Sequence, residues 1–297
     1  MADYFSFHRI QIANRDVDPV YPVLKAVGDR LSLSTEDRLR LVFLHVAYYD
    51  IGSALTAFEI TGDVHYWFKC TETKLPCGTE RRRHRMGDNL RNHLASLQTR
   101  AFGWQGLEPW LTHGLDDDAR GNWKTVSERL MQVDGNGRWA AFKTCEMLRE
   151  VCGLPLEAPD MGHANSSGPR KGLGLLFAEA RVAGNSAEVI AGLDRLSVRL
   201  VEELRGAGAE ASLATAETTL CDFHSMWNGR YYPGLDIDVM HEQIAMSPMS
   251  PEMRREAYLA REAALPLAYL GEEGGWQGVD VKRKRIYRMT GEIVTRG

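Results

Sequence analysis

Apolar side chains along this chain recur at intervals of three and four residues, the spacing of one face of a helix. The clearest run follows Ser186, where Val189, Ile190, Leu193, Leu196, Leu200, Val201 and Leu204 form one stripe. Asn185 with Glu188 three places on predicts its N-terminal cap, and Gly206 its stop. A second stripe, Leu39, Val42, Phe43 and Val46, starts after Ser34 and Thr35. The same spacing predicts helices near 88–102, 122–132, 138–151, 212–226, 236–246 and 251–264. Alternating, strand-like pattern is scarce and is best around Lys282–Val294. Turn-forming composition places loops at 71–80, 160–174, 228–235 and 271–278. No tandem repeat or long linker interrupts the pattern. The expectation is one all-α domain over residues 1–297, with two helical lobes around a cleft.

Charge and cysteine content narrow the classes further. The 36 basic and 40 acidic side chains give a formal charge of −4, which argues against a globally basic nucleic-acid coat but allows local basic strips. Five cysteines without a C-x-x-C pair suit a reduced, cytoplasmic chain. The most apolar stretch, Leu39–Ile60, carries Arg40, His45, Asp50 and Glu59, so it does not read as a bilayer span. The opening residues lack the basic start of a signal peptide.

One segment carries more chemistry than the rest. In Gly135-Asn136-Gly137 two glycines free a tight turn to approach another chain closely, and a helix opens at Arg138 with the small Ala140 and Ala141 behind it. Such a turn aims backbone N–H groups and a positive helix end outward, a seat for a DNA phosphate, with Arg138 and Lys143 as nearby cations. The bland alternative is an ordinary helical corner. After the helix come Gly153, Pro155 and then Asp160. This order, over about 122–160, resembles the helix-hairpin-helix DNA glycosylase superfamily, in which the aspartate sits at the mouth of the base pocket. Three features depart from that superfamily. Trp139 stands where lyase-type members carry lysine, the four-cysteine iron–sulfur motif is absent, and the hairpin helix is about one turn longer.

A second resemblance covers more of the chain. The opening Tyr4–Ile10, the segment Asp18–Leu24, Leu220–Phe223 and Gly229–Gly234 are similar to the phage amino acid:DNA transferases. These belong with the α-glutamyl/putrescinyl-thymine pyrophosphorylases of thymidine hypermodification. The resemblance implies double-stranded DNA carrying a pyrophosphorylated 5-hydroxymethyluracil as one partner and a free amino acid, glycine favoured, as the other. The amine would displace pyrophosphate from the CH2 on C5 of the ring. Asp160 would be the carboxylate that supports the electron-poor carbon or takes the amine's proton, although capping a helix or lying in a loop would also explain it.

The remaining candidates follow from what that chemistry needs. Ser166-Ser167-Gly168-Pro169-Arg170-Lys171-Gly172 offers small residues, two cations and the start of a helix Leu173–Arg181, so Arg170 and Lys171 are expected to receive pyrophosphate. A mobile connecting loop is the alternative. Four arginines among residues 81–85 and five cations among 282–288 suggest DNA contact, through Arg82, Arg83, Arg85, Lys284 and Arg285. Glu217, Cys221 and His224 share a helix face and could bind the base or the amino acid, unless His224 is a core histidine. Tyr231, Tyr232 and Trp227 are candidates to hold an extruded base. No Walker loop, dinucleotide fingerprint or metal-ligand spacing occurs, so no organic cofactor and no dedicated metal site are expected. The rival functions are a monofunctional glycosylase acting on a modified base and a non-enzymatic DNA-binding protein.

Overall fold

A computed structural model describes residues 1–62, 67, 72–78 and 88–266. The described residues form thirteen α-helices and no strand, so the protein is all-α. The expected strand at 282–294 and both basic runs lie outside the described residues. The helices in chain order begin with α1 (Ala2–Ala13), α2 (Val20–Arg30), α3 (Thr35–Tyr48) and α4 (Ile51–Thr61). Next come α5 (Asn89–Trp104), α6 (Leu107–Thr112), α7 (Ala119–Leu130) and α8 (Arg138–Cys152). The last five are α9 (Ser167–Leu176), α10 (Ala187–Gly206), α11 (Leu213–Trp227), α12 (Leu235–Met246) and α13 (Pro251–Ala264). No described helix is long and apolar enough to cross a membrane.

The described residues fall into two compact units. One is built from Met1–Pro19 and Ala158–Ile237, the other from Val20–Glu157 and Asp238–Ala264. The chain passes from one to the other several times, which is why its sequence has no single linker.

The unit built on Val20–Glu157 is organised around α3. Every residue from Leu39 to Tyr48 is buried, including Arg40 and His45. A helix that is enclosed on all sides needs partners for its polar groups. Arg40 stacks 3.9 Å from the centre of the Phe58 ring and donates to the Thr61 hydroxyl at 3.2 Å. The start of α3 is fixed as the sequence predicts, with Ser34 Oγ accepting from Asp37 N–H at 3.1 Å.

The other unit has an aromatic core. Tyr4 meets Phe223 edge-on at 5.3 Å, and Phe7 meets Tyr231 at 6.3 Å. Helix α1 lies on α11 through Tyr4, Phe7, His8 and Gln11, all buried. These four keep helical spacing, but two are polar, so apolar periodicity alone does not reveal the helix. Tyr4 and His8 both reach the Thr219 hydroxyl at 2.9 Å, and the Gln11 amide nitrogen donates to the Tyr231 hydroxyl at 2.8 Å.

Helix α9 corrects the expected loop at 160–174. It already begins at Ser167 and ends at Leu176, short of the expected Leu173–Arg181. Two glycines that weaken an isolated helix here let it press onto α11. A Cβ on Gly172 would sit 2.5 Å from the Leu220 carbonyl oxygen, and one on Gly168 would collide with Cys221 Sγ. Close packing outweighs the propensity cost.

Candidate functional site

The hairpin between α7 and α8 is held firmly from inside. Val133 is buried, and the Asn136 side chain donates to the Leu130 carbonyl at 3.1 Å. His93 bonds the Asp134 carbonyl at 2.8 Å, while Asp134 N–H donates to Ser96 Oγ at 3.2 Å. Gly135 takes φ +74°, a conformation that costs other residues, and Gly137 caps α8 with open space around it. Gly135, Gly137 and Arg138 are exposed at the tip. Trp139 packs its ring 5.3 Å from Tyr49.

Lys143 does not join them. It is buried and ion-paired with Glu146 at 2.9 Å, because three residues along α8 from the first to the second keeps both on its inner face. The expected DNA contact at Lys143 is therefore withdrawn. Lys143→Ala leaves Glu146 buried without this counter-charge and should cost about 3 kcal/mol of stability. Denaturant midpoints will show that loss, while the salt dependence of DNA binding stays as in the parent chain. Farther along α8, burial pushes the Cys145 and Cys152 thiols up to about 12, so neither serves as a thiolate nucleophile near neutral pH.

Asp160 lies in the other unit, exposed, on the segment that leads into α9. Its Oδ1 accepts from Gly162 N–H at 2.6 Å, a turn that fixes the carboxylate without burying it. Two other ionisable groups, Asp194 and His163, feel its charge. Burial and, secondarily, the Asp160 charge raise the Asp194 carboxyl above its usual range. His163 is held neutral, its pKa lowered to about 4 by burial and then by Arg170, with Asp160 pulling the other way.

Arg170 and Lys171 part company because successive helical residues point about 100° apart. Arg170 is buried, donating to the Gly184 carbonyl at 2.7 Å and to Asn185 Oδ1 at 2.6 Å. Its expected grip on pyrophosphate is corrected: the guanidinium ties down the loop before α10. Lys171 remains exposed, and its charge and that of Arg230 each lower the His224 pKa, after burial. Sequence spacing does not bring Lys171 to His224; the packing of α9 on α11 does so.

The face formed by Glu217, Cys221 and His224 is real, but most of it is covered by α9. Glu217 is buried and accepts from Ser166 Oγ at 3.4 Å, so a carboxylate already faces the start of α9. That disfavours the expected anion seat at this helix end. Next to it, Thr218 donates to Asp18 Oδ2 at 2.8 Å, and Asp18 holds φ +46°. His224 Nε2 meets Asn228 Nδ2 at 3.0 Å near the surface. Tyr231 and Tyr232 are buried, and burial, reinforced by Asp16, raises the Tyr231 hydroxyl. They are core side chains and not an open base pocket. Trp227, at the end of α11, is 68% exposed.

Among the described residues no group of three His, Cys, Asp or Glu side chains is placed to hold a metal ion. Residues 15–232 match the family model described as amino acid:DNA transferase, a span that includes the braced hairpin, Asp160, α9 and α11. With well over half of its length matched, the chain belongs to the amino acid:DNA transferase family, and is a transferase that moves an amino acid onto DNA.

Proposed function

We propose that the protein joins an amino acid, glycine favoured, through its amine to 5-pyrophosphoryloxymethyl-deoxyuridine in double-stranded DNA, as a step of phage thymidine hypermodification. The observation that carries this reading is Asp160, an exposed carboxylate fixed by a backbone N–H in a chain of this family. The incoming ammonium gives one proton to a carboxylate and becomes a free amine. That amine attacks the CH2 on C5. The C–N bond forms as the C–O bond breaks, and the electron pair leaves with pyrophosphate. The secondary ammonium then loses a second proton to give the substituted thymine. Asp160 is the base in the first step; being exposed, it passes that proton to water, and the carboxylate so restored is the negative support for the electron-poor CH2 in the second.

Pyrophosphate goes to Lys171 and Arg230, the exposed cations near His224. The target base must leave the duplex to react, and Trp227 is the exposed aromatic suited to stack on it. The Gly135–Arg138 tip holds a phosphate by backbone N–H groups and one guanidinium. Arg138→Ala should weaken DNA binding evenly across sequences and lower the salt slope by about one. Fluorescence anisotropy over a salt series measures both.

The decisive experiment incubates the protein with duplex DNA carrying pyrophosphorylated hydroxymethyluracil and pooled amino acids, then digests the DNA for mass spectrometry. A thymidine derivative bearing one amino acid, with pyrophosphate released, is the expected result. Abasic sites in its place would make the protein a glycosylase, and unchanged DNA would leave only binding.

A further inference from the structure

Beside Asp160, three buried polar atoms have no hydrogen-bond partner among the described residues: His163 Nδ1, Asp194 Oδ1 and Arg170 Nε. Native proteins rarely leave such atoms unpaired, so their clustering asks for a ligand. The bonding pattern shows which kind. Ser197 Oγ lies 3.0 Å from the Leu193 carbonyl and 2.7 Å from His163 Nε2, and it keeps both bonds when it donates its one proton to the carbonyl and accepts from the imidazole. In that arrangement the imidazole carries its proton on Nε2, and Nδ1 presents a lone pair. His163 is only 2% exposed. Asp194 sits three residues before Ser197 on α10, hence on the same face, and Asp160 is close enough for its charge to act on both Asp194 and His163.

Two carboxylates and an imidazole lone pair are acceptors. What satisfies them is a compact donor with several protons and a positive charge, which is a primary ammonium. Arg170 Nε is the one donor among the three unpaired atoms, while the rest of that guanidinium and Lys171 are engaged elsewhere. The first is bonded to Gly184 and Asn185, and the second is placed near His224. We propose that His163 Nδ1 and Asp194, together with Asp160, form the site that receives the ammonium group of the donor amino acid. This rests on the transfer reaction proposed above and adds two residues to it, His163 and Asp194. Asp194 and His163 hold the nitrogen, and Asp160 is left to take its proton. These three residues read the amine end of the ligand.

The test uses the full-length protein with methylamine as the amine probe and acetate as the carboxylate probe. Histidine 15N spectra should show His163 as the Nε2–H tautomer. Methylamine should move the His163 Nδ1 signal, and acetate should not. Asp194→Asn should weaken methylamine binding at least tenfold. In steady-state transfer it should raise the amino acid KM by a similar factor, with DNA affinity and Tm unchanged. His163→Gln, which keeps an acceptor, should recover part of the affinity that His163→Phe loses. Unchanged methylamine binding or an unchanged amino acid KM in Asp194→Asn would overturn the proposal, as would a water-only site in which methylamine has no effect. The probe binding needs no chemistry. If methylamine binds through Asp194 but no transfer occurs on the pyrophosphorylated DNA, the reaction assignment fails and the ammonium site stands.

Discussion

Replacing Asp160 by asparagine should slow amino acid transfer by roughly two to four orders of magnitude, the range expected when a positioned base is lost. The substitution is nearly isosteric, and its carbonyl oxygen can still accept from Gly162 N–H, as Asp160 Oδ1 does at 2.6 Å. The turn before α9 is thereby retained. Because Asp160 is exposed, stability should change by no more than about 0.5 kcal/mol. What disappears is the negative charge at the CH2 and the ability to take a proton. Single-turnover transfer, with DNA binding and Tm measured on the same preparations, separates these effects. A rate within threefold of the parent would reduce Asp160 to a turn-forming residue, and the proposed mechanism would lose its base.

The second large effect is structural. Gly172→Ala should destabilise the unit that contains Asp160 by about 3 kcal/mol, the upper part of the usual range for overpacking. The added methyl would lie 2.5 Å from the Leu220 carbonyl oxygen, and backbone in the middle of α11 cannot move aside as a side chain can. At this chain length that corresponds to a fall in Tm of roughly 6–12 °C. Gly174→Ala is the internal control. Its new Cβ meets only the Val182 side chain at 2.8 Å, and Val182 is exposed enough to rotate away. A stability change there should stay within about 1 kcal/mol, since the gain in helix propensity offsets the contact. If both variants melt alike, α9 is not seated by glycine contact on α11. Lys171 and His224 would then be brought together by some other feature.

Legibility in the sequence differed from element to element for identifiable reasons. Helix α10 could be read because its apolar stripe and cap are local: Ser186 takes the N-cap, one residue after the expected Asn185, and the helix ends at the expected Gly206. Helix α11 could be read for the same reason, and its Ser212–Thr215 capping box falls at the expected start. Helix α9 could not, because proline and three glycines argue against a helix until the α11 surface is there to reward them. Candidate residues divided along the same line. The hairpin glycines and Arg138 are exposed where local turn chemistry puts them. Lys143, Arg170 and Tyr231 are buried, because the side of a helix or turn that faces the core depends on what packs against it.

The sequence by itself determined the all-α class, the hairpin between α7 and α8, the position of Asp160 in the chain and the family resemblance, since each rests on spacing within a few dozen residues. Only the tertiary structure decided which cations remain available and which acceptors stand beside Asp160. Lys171 and His224 are far apart in the chain, as are Asp160 and Asp194, and no periodicity reports such pairs. They are set by the seating of α9 on α11 and by the His163–Ser197 bond, contacts whose energy exists only once the helices have packed.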